Sequence, residues 1–376
     1  MDLETKIELV QKGTTLEILT KDELRSLFET NSHPTHYMGF EISGKVHLGT
    51  GLCTALKIKD FLSAGIKPII FLADYHAWIN GKLGGDLEKI QSVAQGYFKH
   101  AFISLGLSED KVNYILASEI YDNGYWRDVL HISKSTTLAR MLRCTTIMGR
   151  TGGKDSMDCA STLYPAMQAA DIWKLDVDIA HAGMDQRKVH VLSRELSEKF
   201  KRKKAVAVHG RLLTSLTGPG RMDAAGTGAK NEAEASKGDA GPKRVSHSDD
   251  DSADAAMIAG KMSKSNPKSC IFIEDSEEEI KEKITSAYCP PRVTDGNPII
   301  EMAEFFILRD KPLKVERPQK FGGDVEFASA GELKSSYAEG KLHPLDLKNA
   351  VGTELISILE PSRKYFEKHP KLMFIE

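Results

Sequence analysis

The chain has 376 residues, with 51 Lys and Arg against 53 Asp and Glu, a formal net charge of −2 and 41% hydrophobic residues. That suits two or three domains with a sizeable core and excludes a chain too polar to fold, while a local basic patch for nucleic acid stays open. No apolar run is long enough to span a bilayer, and the charged opening MDLETKIELVQKG lacks a signal-peptide core.

Residues 1 to 30 read as helical. LTKDELRSLFE has apolar residues at helical spacing, and Thr20 followed by Glu23 makes a capping box. HYMGFEI reads as a strand meeting a turn at Gly44. LCTALKIKDFLSAG reads as a helix ending at Gly65, and the apolar run Ile69 to Ala73 as a strand buried on both faces. Strand, glycine turn, helix and strand make a βαβ unit, which predicts an α/β fold with a Rossmann-like parallel sheet. Residues 86 to 150 read as mostly helical and suggest an inserted helical subdomain, about 75–160. LDVDIAHAG and AVAVHG read as further strands around the helix KVHVLSRELSEKF.

Residues 216–260 are rich in Gly, Ala, Ser, Asp and Lys, a composition that reads as disordered. Beyond about residue 270, SEEEIKEKITSAY and LDLKNAVGTELISILEPSRKYFE predict a smaller, mostly helical part. The expected divisions are a catalytic domain 1–215, an insertion 216–259, a loop with linking helices 260–290, and a C-terminal domain 291–376. Cys53, Cys144, Cys159, Cys270 and Cys289 form no Cys-x-x-Cys pair, which points to a reducing, cytoplasmic setting and no zinc site.

GFEISGKVHLGTG (39–51) carries the first chemical signal. Gly39, Gly44 and Lys45 have Walker-loop spacing, but Val46 stands where magnesium-binding Ser or Thr is needed. A glycine-flanked turn before a helix lets backbone N–H groups approach phosphate, and His47 adds a donor. On this stretch alone a structural turn explains the sequence equally well. KMSKS (261–265) is the second signal. Lys261 and Lys264, with Ser263 and Ser265, suit a triphosphate that must be neutralised, although a solvated basic loop is the usual meaning of such a cluster. STLYPAMQAADIW (161–173) is the third. Ser161 or Thr162 could cap a helix with Pro165 in its first turn. Tyr164, Gln168 and Asp171 then share a face, as a pocket lining or as a solvent-facing stripe.

In this order on a βαβ scaffold, HLGT and KMSKS resemble the signature pair of class I aminoacyl-tRNA synthetases. The polar stripe resembles the pocket of tyrosyl-tRNA synthetases of the archaeal and eukaryotic type. GMDQRKVH (183–190), AYCPP (287–291), GNP (296–298), ERPQKFGGD (316–324) and LHPLDLKNAV (342–351) are similar to that family too. The resemblance covers nearly the whole chain except 216 to about 258.

It implies a tyrosine–tRNA ligase with a Rossmann-like catalytic domain and a mostly helical C-terminal anticodon-binding domain. ATP would lie on Gly39, Glu41, His47, Gly49, Thr50, Lys261, Met262, Ser263, Lys264 and Ser265, with His47, Lys261 and Lys264 catalytic. Tyr37 and Asp171 would bind the phenol of L-tyrosine. Tyr164, Gln168 and Gln186 would bind its α-amino group, with His76 nearby. Mg2+ would ride on the pyrophosphate, with no protein-bound metal. The tRNA(Tyr) acceptor end would meet the region of Lys134, Arg140, Arg143 and Arg150, and the anticodon would meet Phe321, His343 and Asp346. KFKRKK (199–204) is a further basic cluster. The resemblance also implies a homodimer.

Two positions depart from the family pattern: Thr50 replaces a second histidine and Ile42 a common proline. The segment before KMSKS is also longer. Alternatives are a tryptophanyl-tRNA synthetase, a nucleotidyltransferase with a His-x-Gly-His site, and a synthetase-derived RNA-binding protein that has lost aminoacylation.

Overall fold

The computed structural model describes residues 1–149, 157–219, 260–263 and 266–374. The segment read as disordered therefore lies outside the described residues, apart from 216–219 and Gly260. So do Arg150, Lys264 and Ser265.

A six-stranded sheet organises the first part. Its strands are β1 (Thr15–Leu19), β2 (Thr35–Glu41), β3 (Lys67–Ala73), β4 (Asn113–Leu116), β5 (Ile179–Gly183) and β6 (Val206–Gly210), in the order β1-β6-β5-β2-β3-β4. All neighbours run parallel except the edge pair β1 and β6. The βαβ unit is present as read, with the helix Leu52–Ser63 between β2 and β3.

One reading needs correction. Residues 1–30 are two helices around β1, whose short edge segment TLEIL is only half-covered and gives a weak alternating pattern. The stretch 86–150 is mostly helical as read, and within it NYIL forms the opposite edge strand β4. The Thr20–Glu23 capping box is present.

The chain order reverses at β2, and this opens the site. β2 pairs along its whole length with β3, but only His36 and Tyr37 pair with β5. Beyond Tyr37 the two strands separate, leaving a crevice at the carboxyl ends of a parallel sheet, where ligands of such folds bind.

The C-terminal part has a hairpin, β7 (Leu313–Val315) with β8 (Val325–Phe327), and helices including Glu277–Ser286, Ala330–Ala338 and the long Pro344–Lys368. It shares one apolar core with the sheet: Phe40, Ile42 and Ile70 belong to the same cluster as Ile300, Leu355 and Phe366. No helix among the described residues is long and apolar enough to cross a membrane.

Candidate active site

The crevice is a cleft of about 380 Å³. Tyr37, Gly39, Glu41, His47, Gly49, Thr50, Tyr164, Gln168, Asp171, Gln186, Lys261, Met262 and Ser263 all line it, as does His76. Thus β2, the helix Tyr164–Lys174 and the two signature loops converge. The stripe on that helix faces the cleft rather than solvent. Pro165 sits in the first turn as expected, but the helix has no side-chain cap. Ser161 bonds Asp158 instead, and the Thr162 hydroxyl donates to the Cys159 carbonyl.

One end is built around Asp171, which is 1% exposed. The Tyr121 hydroxyl donates to its Oδ1 at 2.7 Å, and His76 Nε2 lies 3.7 Å from Oδ2. Burial pushes the Asp171 carboxyl up to about 8, against hydrogen bonds from Tyr121 and Tyr125 that favour its charge. Burial pulls His76 down to about 3, so its imidazole is neutral at pH 7. Tyr37 is buried too, and a Cβ on Gly39 would stand 2.6 Å from its hydroxyl, so only glycine fits beside that phenol. Tyr121 and Tyr125 were not legible as site residues. Their rings stack at 3.7 Å, but their partner Asp171 comes from a distant helix.

In the middle of the cleft, Glu41 accepts hydrogen bonds from Asn80 and from the Tyr164 hydroxyl at 3.3 Å, with Lys82 Nζ 3.4 Å away. Gln186 Nε2 donates to the Ile147 carbonyl at 3.2 Å. Deeper in lie His181 and His190, both buried and both pushed toward the neutral form by desolvation.

The other end joins the two signature loops. Leu48 N–H donates to the Ile271 carbonyl and Ile273 N–H to the Val46 carbonyl, so the HLGT loop pairs with the segment that follows KMSKS. Met262 N–H donates to the Leu213 carbonyl at 2.7 Å, anchoring the KMSKS loop beside β6. Gly49 N–H donates to His47 Nδ1 at 3.1 Å, and Thr50 Oγ1 lies 3.2 Å from Nε2. Lys261 Nζ forms an ion pair with Asp185 Oδ2 at 2.9 Å. The Walker-like Lys45 is directed to Glu274, 3.6 Å away, and lies over the Phe272 ring. Among the described residues no group of three or more His, Cys, Asp or Glu comes together to hold a metal.

The remaining candidates lie away from the cleft. Arg140 and Arg143 share the helix Leu138–Cys144; Arg143 is exposed, and Arg140 is paired with Glu195. Phe321 is 60% exposed. Arg317 bonds the carbonyls of Gly323 and Lys341, which ties the Phe321 turn to the chain just before His343. His343 caps the helix that carries Asp346 in its first turn. KFKRKK is largely spent inside the molecule: Arg202 pairs with Asp128, Lys203 with Asp178, and Lys204 with Glu23.

Comparison with known proteins bears on the family and the fold. The family model for class I tRNA synthetases (W and Y) matches residues 29–229 and 256–360. The tyrosine–tRNA ligase of Thermococcus sibiricus is 48% identical, covering 99% of this chain and 97% of that protein. That of Pyrococcus furiosus is also 48% identical, with the same coverage. The crystal structure of Pyrococcus horikoshii tyrosyl-tRNA synthetase with L-tyrosine superposes with TM-score 0.86 at 47% identity, covering 99% of this chain and 98% of that one. Plasmodium falciparum tryptophanyl-tRNA synthetase matches at TM-score 0.64 and 18% identity, covering 97% of this chain and 87% of that one; this is a likeness of fold alone. The chain belongs to the tyrosyl-tRNA synthetases of the archaeal and eukaryotic type, within the class I tRNA synthetases for tryptophan and tyrosine.

Proposed function

We propose that this chain activates L-tyrosine with ATP to tyrosyl-adenylate and pyrophosphate, then transfers tyrosine to the 3′ end of tRNA(Tyr), using the two ends of one cleft. The tyrosine carboxylate attacks the α-phosphate. It is already ionised at pH 7, so no general base is needed, and the rate comes from positioning and from stabilising charge on the phosphates. His47, Lys261 and Lys264 supply donors there. Gly39, Glu41, Gly49, Thr50, Met262, Ser263 and Ser265 complete the ATP site. Mg2+ enters on the nucleotide as its counter-ion. In the second step a terminal ribose hydroxyl of the tRNA attacks the tyrosyl carbonyl of the adenylate, forming the ester bond as AMP leaves.

At the other end, Asp171 and Tyr37 take the phenol, while Tyr164, Gln168 and Gln186 take the α-amino group. With its Nε2 spent on Ile147, Gln186 has its amide oxygen left to accept from an ammonium. The observation that carries the choice of amino acid is the buried Asp171 with one oxygen held by Tyr121. A carboxyl group placed to meet a hydroxyl disfavours phenylalanine, which leaves it unpaired. Tyrosyl enzymes are themselves the standard illustration of this rejection.

Arg140 and Arg143 meet the acceptor end of the tRNA. Phe321 stacks on an anticodon base, and His343 and Asp346 read its edge. The exposed Trp126 and Leu130, one turn apart, and Leu138 form the surface on which two copies associate as a homodimer. The setting is cytoplasmic. ATP–pyrophosphate exchange with tyrosine, tryptophan, phenylalanine or no amino acid, followed by tRNA charging, tests the reading. Exchange driven equally by tryptophan would overturn it.

A further inference from the structure

The turn that opens the HLGT motif is braced by groups distant in sequence. Gly44 adopts φ +107°, and a methyl group added there would stand 3.5 Å from Phe374 Cζ. The Phe374 ring therefore lies directly against the turn. Lys45 is held by Glu274. The Val46 N–H donates to the Tyr97 hydroxyl at 2.8 Å, and that hydroxyl donates to Glu274 at 3.0 Å. Tyr97 joins these contacts: its ring centroid is 5.5 Å from that of Phe374 and 5.6 Å from that of Phe366. Three consecutive residues ahead of His47 are thus fixed by three different segments. Neither Tyr97, Glu274 nor Phe374 lines the cleft.

A glycine at positive φ has no side chain of its own to hold it, so packing against it sets where the turn stands. Displacing a donor by about 1 Å can cost on the order of 100-fold in rate. Phe374 follows the helix Pro344–Lys368 by a few residues, and that helix is about 37 Å long at 1.5 Å per residue. Its first turn carries Asp346, proposed above for the anticodon.

We propose that Phe374 is a positioning residue for ATP use. It holds the Gly44–His47 turn in register with the phosphates and joins the C-terminal helix to the nucleotide end of the cleft. This rests on the reading that His47 and Thr50 meet ATP. If Phe374 were only part of the core, its loss would lower thermal stability and weaken both substrates together.

The test compares full-length wild type, Phe374→Ala, Phe374→Leu and His47→Asn in ATP–pyrophosphate exchange, varying ATP and tyrosine separately, with Tm measured for each. Phe374→Ala should raise KM for ATP roughly five- to tenfold and leave KM for tyrosine within about twofold. Phe374→Leu should restore most of the loss. Unchanged KM values, or equal rises for both substrates, would overturn the proposal. If His47→Asn leaves ATP use untouched, the phosphate reading of the loop fails instead.

Discussion

Thr50 Oγ1 lies 3.2 Å from His47 Nε2, on the far side of the ring from the Gly49 N–H that donates to Nδ1. Gly49 and Thr50 thus hold the ring by both nitrogens, which fixes how the imidazole is turned in the cleft. The position where the family pattern has a second histidine therefore supports the first. Thr50→Ala should lower kcat for adenylation by roughly tenfold, the scale of one hydrogen bond to a reacting donor. KM for tyrosine should hold. Pre-steady-state adenylate formation measures both, and an unchanged rate would remove Thr50 from the mechanism.

Tyr121→Phe keeps the stack on Tyr125 and removes only the hydroxyl that fixes Asp171 Oδ1. The carboxyl group then gains freedom to turn, and its preference for a phenol weakens. The ratio of kcat/KM for tyrosine over phenylalanine should fall roughly tenfold, equivalent to about 1.4 kcal/mol. Asp171→Ala should erode it further. Selectivity that survives both changes would move phenol recognition elsewhere.

The contrast between Asp171 and Tyr121 shows how far the sequence reaches. Tyr164, Gln168 and Asp171 were legible as one face because a helix repeats its direction every three to four residues. The βαβ unit was legible because β3 is a continuous apolar run just after the glycine that ends the preceding helix. Tyr121, the Lys45–Glu274 pair and the Tyr97–Val46 bond were not, because each depends on segments brought together only by the sheet. β1 and β4 escaped because edge strands of four or five residues are half-exposed and leave no strong period.

Asp171 should also mark the pH dependence of stability. Its folded pKa of about 8 stands above the ordinary 3.8. Between those values the folded state keeps a proton that the unfolded chain has released. This group's contribution is therefore fully present below the ordinary value and is lost as pH rises through 8. Asp171→Asn cannot ionise, so its Tm should fall less than that of wild type between pH 5 and pH 8.5. Parallel profiles would mean that Asp171 titrates alike in both states.

Lys57 is a buried structural amine, pulled down to about 7 by desolvation while Asp60 favours its charge. It is 2% exposed, and its ammonium donates to the carbonyls of Leu9, Val10 and Lys12, beyond which Asp60 is paired with Arg309. It satisfies the open end of the helix Leu3–Gln11, which has no basic residue in its last turn. Lys57→Met would strand the Leu9 and Lys12 carbonyls, leave Val10 with only the Thr15 hydroxyl, and remove the ammonium beside Asp60. The expected loss is on the order of 3 kcal/mol in urea unfolding. A loss below about 1 kcal/mol would mean that water replaces the ammonium.

Lys261 is held where a triphosphate can compete for it. Its pair with Asp185 is partly exposed, at 29% and 10% for the two side chains, so solvent screens it and it is worth about 1 kcal/mol at most. A triphosphate carries several charges and can draw the ammonium away as charge builds in the transition state. Lys261→Ala should therefore lower kcat for adenylation by roughly 100-fold, with KM for tyrosine within about twofold. Lys261→Arg should recover only part of the rate, because a planar fork does not reproduce a compact ammonium. Single-turnover adenylation together with equilibrium tyrosine binding separates the two effects. Equal losses in both would place Lys261 in ground-state binding and contradict a transition-state role.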